Sequence, residues 1–509
     1  MHKYDQIVVG GGTSGLTLAA LLGLNGKKVL LLEKGPKVGG SMLRFQRGGV
    51  PFDTGVHFSA GLGQDGILTQ MLRVLGIGDA IWRDPITTPK DNRFVFEDTG
   101  HNYAHPVGIR AITEAMSDYF PSEHDGIVRF FAMMQSVFEN TASMQLGCIA
   151  ANNAPMKTDD VSLADVLDDL IREPELRVLL AGYALCHGTP PDQISFTKHS
   201  QVAYGLYDSV GFVGGGGDAL INALTGVLSN LDVETRVRTT IAECGQIEQR
   251  RAREFVLTTG DVVEAGECLF TVHPQAVMRM LPRDQISRAF VDRVSAFEPS
   301  IGLFCLYGTV RSGAGVSAFS PAIVTRLPNA DMRTLLQPDG ADDRPMAMLK
   351  HKEIVNGESR NILTVQEVSE PADVAKWAAT SAGRRPRDYY EYKDTRTARM
   401  MRRVLAEFPE YEEQLDILAS ASMLTFRDYL RSPWGCAYGI KQRMGQFNLF
   451  GRLPIRNLYA AGQSATLPGV VGAMMSSFIV ARMVLGKNAY QPFIDRQLRP
   501  SGSTVKVSA

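Results

Sequence analysis

A chain of 509 residues with 44% hydrophobic and 21% charged residues, 49 Gly and 25 Pro is globular in composition and too long for one ordinary core. Its 53 Lys and Arg balance 54 Asp and Glu to a net charge of −1, so it lacks the basic field that nucleic-acid binding needs. The six cysteines (Cys148, Cys186, Cys244, Cys268, Cys305 and Cys436) form no CxxC pair or zinc knuckle, so no metal site is expected, and scattered thiols suit a reducing, cytoplasmic compartment.

The chain enters a strand pattern almost at once, in "DQIVVG", which leaves no room for a signal peptide. Gly10-x-Gly12-x-x-Gly15 follows, then "LTLAALLGL" with helical spacing, then "KKVLLL" ending at Glu33. This is the order a βαβ dinucleotide site requires. Gly10 allows the tight turn, Gly12 lets the backbone approach a pyrophosphate, and Gly15 lets helix pack on strand. The helix N-terminus offers free N–H groups to phosphate, and Glu33 can accept from ribose hydroxyls. A plain glycine-rich turn needs none of the following strand and acid. The glycine pair Gly39–Gly40 and the turn Asp53-Thr54-Gly55 then separate FAD from a simple nicotinamide site, because a long buried flavin needs close backbone approach beyond its pyrophosphate.

With Glu33-Lys34, Gly39-Gly40-Ser41 and "GVPFDTGVHFSAGL", the chain resembles the flavoprotein group of carotenoid desaturases, carotenoid isomerases and retinol saturases, within the amine-oxidase-like superfamily. The amine-oxidase branch usually has Arg where Ser41 stands. The resemblance returns in "SVGFVGGGGDALINALTGVL", in "LDVETRVRTTIAE" with "GECLFTVHP", in the stretch from "YYEYKDTRTARMMRR" to "WGCAYG", and in "NLYAAGQSATLPGVVGAMMSSFIVARMVLG". It implies an α/β fold: a discontinuous Rossmann-like FAD-binding domain (1–75, 208–285 and 448–490) with an inserted α+β substrate domain (76–207 and 286–447), in an architecture shared with amine oxidases and GDP-dissociation inhibitors. Residues 491–509 are expected as a tail, polar and frayed in "RPSGSTVKVSA".

The resemblance assigns FAD binding to Gly10, Gly12, Ser14, Gly15, Glu33, Lys34, Gly39, Gly40, Ser41, Thr54, Gly55 and Val56. It adds Val237 beside the adenine, and Gly462, Gln463, Pro468, Gly469, Val471, Gly472 and Ala473 in the closing motif. That closing segment carries a single charge, Arg482, and raises the question of a membrane anchor. Its apolar core, 467–480, is too short and too broken by glycine for a span. It reads instead as strand, turn and helix, with the helix starting near Ala473 and its N-terminus aimed at the flavin pyrimidine.

The first insert is helix-rich: "ITEAMSDYF", "GIVRFFAMMQSVFENTASMQL", "SLADVLDDLI" and "PELRVLLAGYALCHG" all show 3–4 spacing. The second mixes strands ("IGLFCLYGTV", "RNILTVQEV") with a long helix near 388–406. The flavin does the redox work, so no dense acid–base motif is required, and none is seen. His57 is expected beside the ring, to orient a polyene end or shuttle a proton, or else simply to hold its turn. Trp434 and Tyr438 are candidate pocket walls. Cys436 lies in a turn of the kind where some amine oxidases attach flavin; the carotenoid branch binds it non-covalently. His187 and His199 are either pocket or core residues. The Met-rich run through 130–156 lines a tunnel, touches a membrane or simply packs, and the basic stretch 383–403 reads as a solvated helix face or an anion contact.

The reading is an FAD-dependent oxidoreductase acting on C–C or C=C bonds of a long apolar polyene or isoprenoid-like substrate, by desaturation, saturation or reduced-flavin isomerisation. The electron donor or acceptor is not legible, and peripheral membrane contact is compatible with it. A flavin amine oxidase is the alternative enzyme, and a non-catalytic prenyl-protein carrier of the GDP-dissociation-inhibitor type is the alternative class.

Overall fold

The structure is a computed structural model, and it describes residues 2–86, 91–146, 160–311, 319–338, 340 and 344–499. Among the described residues two large sheets organise the chain. The first runs Ile241–Glu248, Arg251–Leu257, Val262–Phe270, His2–Val9, Val29–Glu33, Val233–Val237, and Leu458–Ala460 adds to the far end of Val262–Phe270. His2–Val9 pairs in parallel with both Val262–Phe270 and Val29–Glu33. Its central runs "IVV", "VLLL" and "CLF" are continuously apolar because helices or neighbouring strands cover both faces, as parallel strands require.

Helix Thr13–Leu24 packs on this sheet and is buried from Ser14 to Gly23. Helices Gly216–Ser229 and Gly469–Leu485 flank it, and Ser14 Oγ meets Ser477 Oγ at 2.6 Å in the interior. The apolar closing helix therefore spends its hydrophobicity on packing. No helix among the described residues is long and apolar enough to cross a membrane. This helix starts at Gly469, four residues before the expected Ala473, and Gly469 has φ +78°, a left-handed value that glycine takes without steric cost.

The second sheet runs Leu415–Ala421, Gly302–Val310, Glu358–Ser369, Met346–Val355, Ala322–Leu327, Asn92–Phe96, Asn102–Ala104. Side chains alternate across it. On one face Phe304, Val365, Met348 and Val324 pack against Met400 and Val404 of helix Arg387–Glu407. The opposite face looks towards the helices Ile109–Tyr119, His124–Asn140, Pro174–Ala181 and Phe196–Ser209, which share one core.

The basic stretch is not simply a solvated face. Arg396, Arg399 and Arg403 reach Glu367 at 2.7, 2.6 and 3.1 Å, and Glu367 is 0% exposed. A carboxylate this deep needs that many partners, and they come from the one helix face laid against its strand. The segment expected as a tail also departs from expectation. Lys487–Leu498 is a helix, with Tyr490, Phe493 and Ile494 in the core, and residues 500–509 lie outside those described. In the Met-rich run, Phe130, Phe131 and Met134 are ordinary core, while 147–156 lie outside the described residues.

Candidate functional site

Between the two sheets runs a single cavity of about 1470 Å³. That exceeds the roughly 300–1,000 Å³ usual for one small ligand, and suits a long dinucleotide with a substrate beyond it. Gly10, Gly12, Ser14, Glu33, Lys34 and Val237 line one end. Gly40, Ser41, Thr54, Gly55, Val56 and His57 follow, with Gly462, Gln463, Pro468, Gly469, Val471, Gly472 and Ala473 of the closing segment also in the wall. Gly15 and Gly39 shape the cavity from behind: a Cβ on Gly15 falls 1.7 Å from the Gly10 carbonyl oxygen, and one on Gly39 falls 2.5 Å from Ile221.

The first turn is held locally. Thr271, at the end of the neighbouring strand, donates from its backbone N–H to the Val9 carbonyl at 2.8 Å, and its hydroxyl reaches the Gly10 carbonyl at 3.0 Å. The Glu33 carboxylate accepts from the N–H groups of Gly11 (2.8 Å) and Gly35, which fixes it at the strand end facing the cavity. Gly12 and Gly40 face each other backbone to backbone, and Gly40 has φ +55°. Two helix N-termini open on the same space. Thr13–Leu24 starts after Gly12 and Gly469–Leu485 after Pro468, and neither has a side-chain cap among the described residues. Uncapped N–H groups and the positive end of the helix dipole make both starts receptive to negative charge. The glycine cradle, the acid fixed at the strand end and the two bare helix starts together fit a dinucleotide cofactor of the flavin kind.

Behind the second turn lies a buried ionic knot that the sequence did not announce. Arg44 bonds Glu353 at 2.7 Å and approaches Asp53 at 3.4 Å, and Asp53 accepts from Gly217 N–H at 2.8 Å. Burial pushes the Asp53 carboxyl up to about 6 despite the arginine. Thr54 donates its hydroxyl to the Leu43 carbonyl at 2.7 Å, which presents His57 to the cavity. His57 is half-buried; the burial lowers its imidazole to about 4, and its Nε2 has no partner among the described residues.

Tyr438 lines the cavity, and burial holds its phenol well above the ordinary range. Trp434 is not among the lining residues. Its backbone sits in the left-handed region (φ +55°), which turns the indole outward to 40% exposure and edge-on to His273. His187 and His199 do not line the cavity either; they form a buried pair at 3.0 Å. Cys436 does line it, but its thiol donates to the Pro433 carbonyl at 3.1 Å, and burial pushes the thiol up. Beyond His57 the wall becomes largely apolar: Phe94, Ile301, Leu303, Ile323, Ala347 and Val368 from the second sheet face Phe138, Tyr183, Val202 and Leu206 from the helices.

Residues 8–75 match the model of the NAD(P)-binding Rossmann-like domain. Wild-type putrescine oxidase bound to putrescine has the same fold, with a TM-score of 0.65 at 15% identity over 95% of this chain and 99% of that one. The protein therefore has the mixed α/β, amine-oxidase-like architecture of a Rossmann-like domain joined to a second domain. All-trans-retinol 13,14-reductase of Homo sapiens is 25% identical over 98% of this chain and 88% of its own length. Prolycopene isomerase 2 of an Oncidium hybrid cultivar is 28% identical over 51% of this chain and 48% of its own. These relatives fit the carotenoid desaturase, carotenoid isomerase and retinol saturase family that the sequence resembles.

Proposed function

We propose that this chain is an FAD-dependent oxidoreductase acting on C–C or C=C bonds of a long apolar polyene or isoprenoid-like substrate. What carries the reading is one cavity that passes from two uncapped helix N-termini to an apolar chamber. The names of the relatives, a retinol reductase and a prolycopene isomerase, support the polyene class. In this reading 1–75, 208–285 and 448–490 hold the cofactor, and 76–207 with 286–447 cover it. FAD, when bound, supplies hydride exchange with carbon. Glu33 would hold the adenosine ribose, the Gly12 and Gly40 backbones would admit the pyrophosphate, and the Gly469–Leu485 helix start would stabilise negative charge on the reduced ring. The apolar wall excludes water and holds substrate through burial alone, at about 0.8 kcal/mol per CH₂.

The amine-oxidase alternative has less support. The carboxylates lining the cavity among the described residues are Glu33 and Asp218; Glu33 lies on the ribose side, and Asp218 on the helix behind the glycine pair. Neither belongs to the apolar chamber, where an amine would need a partner. The prenyl-protein-carrier alternative leaves the glycine cradle and Glu33 without a task.

The test is product analysis: yellow, purified protein incubated with a panel of polyenes under both oxidising and reducing conditions. New saturated, desaturated or isomerised products support the reading, and conversion of amines alone sinks it. In this reading His57 is the candidate polar group for this chemistry. Neutral at pH 7, its Nε2 can accept or pass on a proton at a polyene end. We expect His57→Ala to lower turnover on the order of 10²-fold, the range of a lost proton-transfer or orienting group, with flavin content unchanged. Unchanged turnover removes His57 from the mechanism. Since the Cys436 thiol is held protonated and bonded to a carbonyl, acid precipitation should leave all flavin in the supernatant; yellow pellets would point to a covalent link there.

A further inference from the structure

The apolar chamber contains one group that an apolar substrate does not explain. In strand Glu358–Ser369, Val365, Glu367 and Ser369 face helix Arg387–Glu407, while Gln366 and Val368 face the cavity. The pairing register carries this face across four strands in one row: Gln366 opposite Ala347, Ala347 opposite Thr325, Thr325 opposite Phe94. All four line the cavity. Gln366 Nε2 is buried and has no hydrogen-bond partner among the described residues. An amide donor without a partner is costly to bury, whereas a leucine at this position is not. Ala347, with only a methyl for a side chain, stands between Gln366 and Thr325 in that row.

We infer that Gln366 and Thr325, across Ala347, form a polar subsite for a neutral oxygen on the substrate, a hydroxyl or carbonyl, so that the enzyme prefers oxygen-bearing polyenes to pure hydrocarbons. The inference rests on the polyene reading proposed above. The donor Nε2 requires an acceptor in the ligand, which excludes a hydrocarbon terminus as the best fit. It also disfavours a carboxylate. The cations lining the cavity among the described residues are Lys34, Lys37, Arg44, Arg279 and Arg431. Arg44 is taken by Glu353 and Asp53, and the others belong to the segments around Glu33, Gly35 and Thr271. A carboxylate at Gln366 is therefore buried without a countercharge.

The test uses the flavin-loaded protein and three polyenes of one chain length: the alcohol, the hydrocarbon and the acid. Turnover is read as kcat/KM, and binding as the shift of the polyene absorption band. The wild type should favour the alcohol at least ~10-fold over each of the others, since a site built to hydrogen-bond a hydroxyl rejects analogues lacking it. Gln366→Leu should lower the alcohol-to-hydrocarbon ratio by about 10-fold, mainly through KM, with flavin content retained. If that variant does not fold, the wild-type binding ratios decide. Equal affinity for alcohol and hydrocarbon, or an unchanged ratio in Gln366→Leu, overturns the subsite. No turnover and no flavin response with any of the three defeats the proposed function instead, and the binding ratios still judge the subsite.

Discussion

Gly12→Val should yield a colourless protein with an intact fold. Gly12 has φ −80° and ψ −170°, a backbone any residue adopts. A Cβ built there meets nothing nearer than the Gly40 Cα at 3.8 Å. The substitution thus costs the apoprotein little. Its methyl groups enter the gap between the first glycine turn and Gly40, which is the space proposed for a pyrophosphate. Overpacking of this kind costs roughly 1–3 kcal/mol or more, so flavin affinity should fall on the order of 10²-fold. Gly15 behaves differently, because its Cβ collides with the Gly10 carbonyl at 1.7 Å; Gly15→Ala should impair folding itself. Far-UV circular dichroism and the flavin-to-protein absorbance ratio separate the two. Full flavin occupancy in Gly12→Val would remove the cofactor site from this turn.

Acid should unfold the protein between about pH 6.5 and 4. Six of the nine histidines (His57, His105, His187, His199, His273 and His351) are pushed below their ordinary value by burial. His57 and His273 fall to about 4, and His105, His199 and His351 to about 3. In this window the unfolded chain binds protons that the folded one refuses. Stability is therefore full above the unfolded value of 6.5 and is lost as pH falls. Each such group contributes up to ~1.4 kcal/mol per pH unit below 6.5. Asp53 acts in the opposite sense, since its raised carboxyl favours the protonated folded form below about 6, and burial raises Asp84 and Glu370 in the same sense, but these are three groups against six. Urea midpoints at pH 7.5, 6 and 5 should fall steeply with acidity. His105 lies among Phe94, Tyr183 and Tyr207 with neither ring nitrogen partnered among the described residues, so His105→Phe should flatten the slope. A flat profile from pH 7.5 to 5 contradicts this.

The sequence made the dinucleotide half of the site legible because its constraints are local. Gly10, Gly12, Gly15 and Glu33 follow one another within a single strand–helix–strand unit, and each residue type answers one steric or hydrogen-bonding need. The apolar chamber was not legible, because Phe94, Thr325, Ala347 and Gln366 become neighbours only through strand register. The same holds for Glu367, whose burial against Arg396, Arg399 and Arg403 turns a stretch that reads as solvated into an interior network. Trp434 was expected in a wall, but one left-handed backbone angle sends it outward, and no pattern in "SPWGCAYG" announces that angle. The Lys487–Leu498 helix was hidden by Pro492, a helix breaker that this short helix nonetheless carries.

The central claim is that this cavity serves flavin chemistry on the carbon skeleton of a polyene, and anaerobic stopped-flow spectroscopy of the flavin-loaded protein tests it most directly. Oxidised and reduced forms are each mixed with polyenes and, separately, with simple amines, and the flavin absorbance is followed. The account requires a prompt change in flavin redox state, or isomerisation of the polyene by the reduced form, with polyenes and none with amines. Prompt reduction by amines, with no response to polyenes in either redox state, would contradict it.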